Sequence, residues 1–220
     1  MEKIVITLPD GSQKELSSGS TGYDIASSIG EGLARASIAI KSNNQIIDLH
    51  APISNDSEIE IITSKSELAH EILLHSTAHL LAQAIKENYP SAKIAIGPAL
   101  KETFYYDIDL DTPINEEALL KLEKTMKKIS RDNLEVHRKE FKKMDAIDIF
   151  SKMNEDYKVE IINQIESDDL ISAYQQGDFI DLCRGPHIPS TGKIKHFKLL
   201  SVAGAYWRGD ESNKMLQRIY

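Results

Sequence analysis

The sequence predicts an α+β protein in which a small domain of short strands precedes a larger mixed α+β domain built around one long buried helix. Short alternating segments separated by turn residues fill residues 1–63, a helical period follows from residue 64, and strand-like and helical segments alternate beyond Pro90. The 220 residues are 41% apolar, which is enough to bury the core of one or two domains.

The first domain opens with a hairpin pattern. Apolar and polar residues alternate from Ile4 to Leu8, residues 9–11 have the turn sequence Pro-Asp-Gly, and a second strand follows through Lys14 and Leu16. Residues 1–17 are therefore predicted to form two paired strands.

A short helix and further strands complete the first domain. Residues 20–22 are expected to cap a helix that holds Ile25 and Ile29 and that Gly30 and Gly32 end. Short strands are predicted at residues 36–40, 45–47 and 59–62. This order of elements is that of a ubiquitin-like β-grasp fold, so residues 1–63 are predicted to be a domain of their own.

One long helix follows. Ser64 and Glu67 form a plausible capping box, and the helical period runs to residues 88–90, Asn-Tyr-Pro. One stripe of this helix comprises Leu68, Ile72, His75, His79 and Gln83. Apolar residues cover much of the remaining surface, which predicts that the helix is buried and that its two histidines line an interior cleft.

The rest of the chain mixes strands and helices. Strands are predicted at residues 93–96, 104–110, 134–139, 157–162 and 178–183, and helices at residues 115–130 and 145–154. Residues 64–208 are thus expected to form the second domain. Residues 209–220 are expected to be a polar turn and the start of a helix, within a linker to a further domain.

Composition excludes several classes of protein. No segment approaches the roughly 18 apolar residues of a membrane span, and the N-terminus lacks the pattern of a signal peptide, so no membrane partner and a cytoplasmic location are expected. Cys183 is the only cysteine, which excludes an intrachain disulfide and a four-cysteine zinc site. The net charge of −8 argues against a protein whose whole surface binds nucleic acid.

One segment is locally basic. Residues 121–143 contain nine Lys or Arg residues against four Asp or Glu residues. A solvated face of mixed charge explains this stripe as well as contact with nucleic acid does.

Two residue pairs with the same spacing carry the candidate chemistry. His75 and His79 lie at i and i+4, so both rings project from one helix face, and Ser76 stands where a zinc protease would have its Glu. Cys183 and His187 flank a Gly-Pro break that turns the chain, and Asp181 shares the strand face of Cys183. Taken singly, each residue can be explained as a core, cap or loop residue; together they indicate one polar cluster.

The segments that surround these residues resemble those of a known protein family. HSTAHLLAQAIKENYPSAKIAIGP, FYYDIDLD, DYKVEII, FIDLCRGPHIPSTGKIKHFKLLSVAGAYWRGD and NKMLQRIY resemble the N-terminal half of bacterial-type threonyl-tRNA synthetases. The second domain then resembles the editing domain of that family, and the first domain resembles its TGS domain. The two histidine-containing pairs are also similar to alanyl-tRNA synthetase editing domains.

The threonyl resemblance implies hydrolysis of the ester of mischarged seryl-tRNA(Thr), with the acceptor end of tRNA(Thr) as partner and the seryl-adenosine group as substrate. It implies catalytic roles for His75, Lys158 and Cys183. It also implies substrate contacts from His79, Tyr106, Asp181 and His187. Without the resemblance, Lys158 would be read as a surface lysine, and Tyr106 as a core residue.

The resemblance also bears on cofactors and assembly. It implies no cofactor for editing, although His75, His79, Cys183 and His187 would be the ligands if zinc were bound. ATP and zinc are expected only in a class II catalytic domain beyond residue 220, as is a homodimer contact. The alternatives are a zinc-dependent editing domain of the alanyl type and a module that docks tRNA without catalysis.

Overall fold

The structure, a computed structural model, describes residues 2–166 and 170–220. The elements of the first domain are β1 (Lys3–Thr7), β2 (Gln13–Ser17), β3 (Ser20–Thr21), α1 (Gly22–Ile29), α2 (Glu31–Ala36), β4 (Ser37–Ser42), β5 (Gln45–Asp48), β6 (Pro52–Ile53) and β7 (Ser57–Thr63). Its main sheet has the order β2-β1-β7-β4-β5, in which β1 and β7 are parallel. This arrangement confirms the predicted β-grasp fold.

The start of α1 follows from its capping residues. The Thr21 side chain accepts a hydrogen bond from the Asp24 amide, and the Asp24 carboxylate accepts one from the Thr21 amide. Gly30 ends α1 as predicted, but Gly32 does not end a helix. The chain turns at Gly30, which also precedes the first turn of α2, so Gly32 lies inside a second short helix.

The second domain has two antiparallel sheets and four helices among the described residues. Its elements are α3 (Ala69–Asn88), β8 (Lys93–Ile94), β9 (Tyr106–Asp109), α4 (Glu116–Asp132), β10 (Val136–Phe141), α5 (Lys143–Lys152), α6 (Asp156–Asn163), β11 (Ile171–Gln176), β12 (Phe179–Leu182), β13 (Val202–Tyr206) and β14 (Met215–Ile219). The sheets have the orders β13-β14-β9-β8 and β10-β11-β12. The predicted α+β class is confirmed.

Helix α3 lies at the centre of the protein. Its side chains share one apolar core with α4, with β9 and with Ile38 and Ile62 of the first domain, so the core continues across the boundary between the domains. The predicted capping box of Ser64 and Glu67 is wrong. Residues 63–69 form successive turns, in which the Ser66 amide donates to Thr63 and the Ala69 amide donates to Ser66, and α3 begins only after them.

The predicted strand at residues 157–162 is wrong, because these residues belong to α6. The β-branched residues Val159, Ile161 and Ile162 suggested a strand. Burial instead follows the helical period, since Lys158 and Ile162 are the buried pair four residues apart. The correction places Lys158 in the first turn of a helix.

The predicted helix at the end of the chain is also wrong. Residues 215–219 form β14, which pairs with β13 on one side and with β9 on the other. Ile219 is fully buried in the core beside Tyr106. These residues are therefore part of the second domain's sheet rather than of a linker.

Among the described residues, no helix is both long enough and apolar enough to cross a membrane.

Replacing Ile219 tests the position of β14. We expect Ile219→Ala to lower the free energy of unfolding by about 2–5 kcal/mol, because it opens a cavity in the core. Met215→Ala in the same strand is the matched control, since Met215 is 56% exposed, and it should change stability by less than about 0.5 kcal/mol. Urea unfolding measures both values, and an Ile219→Ala protein as stable as the wild type would contradict this role of β14.

Candidate active site

Helix α3 carries two of the candidate histidines on one face. His75 and His79 lie one turn apart, and their ring centroids are separated by 5.4 Å in an edge-on arrangement. The His79 side chain is buried, whereas His75 is half-buried. The i, i+4 spacing therefore places both rings on the same wall of a cleft, as predicted.

The turn that follows β12 brings Cys183 and His187 to these rings. Cys183 Sγ lies 3.3 Å from His75 Nε2 and 3.2 Å from His187 Nε2. The ring centroid of His187 is 4.5 Å from that of His75 and 4.2 Å from that of His79. The structure thus joins the two sequence pairs into the single cluster that their spacing predicted.

A buried ion pair lies next to the cluster. Lys158 Nζ is 2.6 Å from Asp181 Oδ1 and donates a hydrogen bond to the Tyr106 hydroxyl at 3.0 Å. The Tyr106 hydroxyl donates to Asp181 Oδ2 at 2.5 Å, and His79 Nε2 lies 3.7 Å from the same oxygen. The side chains of Lys158 and Asp181 are only 3% and 1% exposed, so water does not screen this pair.

Both carboxylate oxygens of Asp181 are engaged in this network. Oδ1 faces the Lys158 ammonium at 2.6 Å, and Oδ2 accepts a hydrogen bond from the Tyr106 hydroxyl. Each carboxylate oxygen has a second lone pair, and Asp181 lines the cleft, so its carboxylate can accept a further hydrogen bond from a molecule bound there.

The cleft has a volume of about 780 Å³ and opens to solvent. Six of the seven candidate residues line it: His75, His79, Tyr106, Lys158, Asp181 and Cys183. His187 lies behind Cys183 and lines a separate cavity between the two domains. Direct contact between His187 and a molecule in the cleft was expected, but the geometry gives His187 a supporting position.

Two further residues hold the cluster and were missed in the sequence. Ser76 Oγ lies 3.0 Å from His187 Nδ1 and accepts a hydrogen bond from the Ile188 amide at 3.2 Å. Arg138 lines the cleft and donates to the Arg184 carbonyl at 2.8 Å. The position of Ser76 between the two histidines was a usable signal, whereas Arg138 was one of nine basic residues in its segment.

Burial keeps the imidazoles neutral. It lowers the pKa of His75, and it lowers the pKa values of His79 and His187 well below the usual value. The other rings lower the pKa of His79 and His187 further, and the Lys158 ammonium also lowers that of His79. Neutral imidazoles can accept a proton, so the cleft contains bases at neutral pH.

Burial has the opposite effect on Cys183 and Tyr106: it raises the pKa of both groups. It raises the pKa of the Cys183 thiol to about 12, so the thiolate form is scarce at neutral pH. It also raises the pKa of Tyr106 well above its usual value, and the Asp181 carboxylate raises it further. Cys183 and Tyr106 are therefore hydrogen-bond donors in this cleft.

The cluster also has the chemistry of a metal site. His75, His79, Cys183 and His187 each offer one ligand atom, and these atoms lie within 4.8 Å of one another. Three imidazoles and one thiol suit zinc. Cys183 Sγ already contacts His75 Nε2 and His187 Nε2, and Ser76 Oγ contacts His187 Nδ1, so the cluster is compatible with a metal-free hydrogen-bonded form as well.

Family comparisons match both ends of the chain. A TGS domain matches residues 4–63. A family described as the threonyl and alanyl tRNA synthetase second additional domain matches residues 171–220, which include β11, β12, β14 and the turn with Cys183 and His187.

Curated relatives match the whole chain. The chain is 53% identical over 220 residues to a threonine–tRNA ligase of Pelobacter propionicus. It is 54% identical over 217 residues to one of Anoxybacillus flavithermus and 51% identical over 220 residues to one of Staphylococcus aureus. These alignments cover 99–100% of the chain but 34% of each relative, so the chain spans about a third of their length.

The lowered pKa values predict how stability depends on pH. Below about pH 6.5 the unfolded chain binds protons that the buried imidazoles of the folded chain do not bind. The free energy of unfolding should therefore fall as the pH decreases from 7 to 5.5, and His79→Gln should make this fall shallower. Urea unfolding at several pH values measures the slope.

The matched control for that slope is His196→Gln, because His196 is exposed. It should keep the wild-type dependence. A His79→Gln protein with the same slope as the wild type would contradict a neutral, buried His79.

Proposed function

The chain is homologous over its full length to the N-terminal TGS and editing region of bacterial threonyl-tRNA synthetases, and we propose that it hydrolyses the ester bond of mischarged seryl-tRNA(Thr). The observation that carries this proposal is the position of the Lys158–Asp181 ion pair beside neutral histidines in one open cleft. This arrangement offers an ammonium group, a carboxylate and neutral imidazoles within one site.

Physical chemistry explains why such an activity is needed. Serine and threonine differ by one methyl group, and an apolar pocket gains only about 1–3 kcal/mol from such a difference. Selection in a single synthetic site is therefore limited to roughly 10- to 200-fold. A second site that accepts serine and excludes threonine by size removes the errors that remain.

Lys158 has the position needed to direct water. Tyr106 and Asp181 hold its ammonium at the wall of the cleft, which leaves its remaining hydrogen-bonding capacity for a water molecule or for the developing oxyanion of the ester. A held cation stabilises that negative charge without reorganisation at the moment of reaction. Water then attacks the ester carbonyl carbon, and the bond from that carbon to the oxygen of the 3′-terminal ribose breaks. The proton that the water loses is returned to the ribose oxygen, so serine and uncharged tRNA are released.

The remaining cleft residues bind and orient the substrate. Asp181 lines the cleft, and its carboxylate oxygens have more lone pairs than the Lys158 and Tyr106 contacts use, which suits Asp181 to accept from the amine or hydroxyl of serine. The neutral His75 imidazole interacts with the ribose 2′-hydroxyl next to the scissile bond. His79 and Tyr106 form the adjoining wall, while His187 supports Cys183 from behind.

Cys183 acts as a donor and wall residue rather than as a covalent nucleophile. Nucleophilic attack requires the thiolate, and burial raises the pKa of the thiol to about 12. Hydrolysis by bound water needs no covalent intermediate.

Deacylation kinetics test the roles of Lys158 and Cys183. With seryl-tRNA(Thr) as substrate, Lys158→Gln should lower kcat by about 100-fold or more, as expected when a group that stabilises an oxyanion is removed. Cys183→Ala should retain kcat within about tenfold.

Lys198→Gln is the matched control, because Lys198 pairs with Glu123 and does not line the cleft. Circular dichroism checks that each variant is folded. Complete loss of activity in folded Cys183→Ala would restore the covalent mechanism, and wild-type deacylation at the spontaneous rate would favour a docking module without catalysis.

A zinc-dependent mechanism of the alanyl type is the second candidate, because the four-residue cluster fits a zinc ion. His75, His79, Cys183 and His187 would hold the ion, which would lower the pKa of a bound water to about 7. We propose that the metal-free form is the active one, because Lys158 already supplies a positive charge beside the cluster.

Elemental analysis and chelation distinguish these mechanisms. The purified chain should deacylate seryl-tRNA(Thr) with far less than one equivalent of zinc, and EDTA or 1,10-phenanthroline should leave kcat unchanged. Stoichiometric zinc together with loss of activity after chelation would overturn the metal-free mechanism. Preference for seryl-tRNA(Ala) over seryl-tRNA(Thr) in the same assay would identify the alanyl specificity.

A further inference from the structure

Asp48, a residue of the β-grasp domain, contacts the turn that carries His187. Asp48 ends β5, and its Oδ1 accepts a hydrogen bond from the His187 backbone amide at 2.8 Å. Its Oδ2 accepts a hydrogen bond from the Tyr174 hydroxyl at 2.7 Å. One side chain of the first domain therefore contacts both the turn that carries His187 and the strand beneath that turn.

Tyr174 extends this contact to the rest of the turn. Its ring packs edge-on against the His187 ring at 4.4 Å between centroids. Arg138 Nη1 donates hydrogen bonds to the Tyr174 hydroxyl at 3.1 Å and to the Arg184 carbonyl at 2.8 Å. The turn from Cys183 to His187 is thus held by one connected network of Asp48, Tyr174 and Arg138.

We propose that Asp48 is a positioning residue for ester hydrolysis, through which the β-grasp domain sets the position of His187 and thereby of Cys183. This inference rests on the proposed function of the cleft. Asp48 does not line the cleft, so it acts through the His187 amide and the Tyr174 hydroxyl rather than on the substrate.

The chemistry of the contact favours a carboxylate. Two donors approach two different oxygens of Asp48, and an ionised carboxylate accepts from both, whereas an amide side chain offers only one oxygen. Hydrogen bonds to a charged acceptor are stronger than neutral ones. Asp48→Asn therefore keeps the shape of the residue but loses one of the two contacts.

The two domains remain joined without Asp48. Ile38 and Ile62 of the first domain belong to the core that surrounds α3, and Lys193 donates to the Arg35 carbonyl across the same boundary. A change at Asp48 should consequently alter the position of the turn without separating the domains. Loss of activity in an Asp48 variant whose domains remain joined would therefore indicate a positioning role rather than a purely structural one.

The test measures deacylation of seryl-tRNA(Thr) by the whole 220-residue chain. We expect Asp48→Ala to lower kcat about tenfold while KM changes less than about twofold, because substrate contacts remain in place. Asp48→Asn should lie between Asp48→Ala and the wild type. Tyr174→Phe removes only a hydroxyl and gives a second variant of the same network.

Asp56→Ala is the matched control. Asp56 belongs to the same domain and accepts a hydrogen bond from the Val5 amide at 2.7 Å, without contact to the second domain's turn. It should leave kcat and KM unchanged. An Asp48→Ala kcat equal to that of Asp56→Ala would overturn the proposal.

A spectroscopic readout separates this inference from the proposed function. The ¹⁵N shifts of the His187 imidazole and backbone amide should change in Asp48→Ala and Asp48→Asn but not in Asp56→Ala. If the wild-type chain lacks deacylase activity, the proposed function fails, and these shifts still decide whether Asp48 positions His187. Unchanged His187 shifts in folded Asp48 variants would overturn the positioning role.

Discussion

The buried ion pair of Lys158 and Asp181 is the interaction on which the candidate site depends. Each charge is nearly inaccessible to water, and such a charge is costly to bury alone. The pair joins the first turn of α6 to β12, and Tyr106 ties both to β9. Three elements distant in sequence must therefore meet before the cleft exists. Loss of one partner would leave an uncompensated buried charge, which is strongly destabilising.

The same burial gives the neighbouring groups their chemical character. It lowers the pKa of the histidines and raises that of the Cys183 thiol, so the cluster is electrically neutral at physiological pH. The ammonium of Lys158 lies beside this cluster, and it lowers the pKa of His79 further. The neutral imidazoles can therefore accept protons, while the Lys158 ammonium stabilises negative charge.

The sequence predicted those features that local patterns determine. The cap of α1 within residues 20–22 and the placement of His75 and His79 on one helix face both depend on residues a few positions apart. The strand β14 was missed because its partners β9 and β13 are not marked in its own sequence, and α6 was misread because its β-branched residues favour strands. Asp48 lies 139 residues from His187, and no local pattern connects them.

The contact of Asp48 bears on how a site can distinguish serine from threonine. Exclusion of one methyl group requires walls that do not yield by the width of that group, because the energetic difference between the two substrates is small. The wall that contains Cys183 lies on a turn, and turns are more mobile than the strands that they join. Asp48, Ser76 and Arg138 each bind a different backbone group of residues 184–188. Three such contacts from three separate elements limit the movement of the turn. In the function proposed above, the β-grasp domain would thereby contribute to selectivity without touching the substrate.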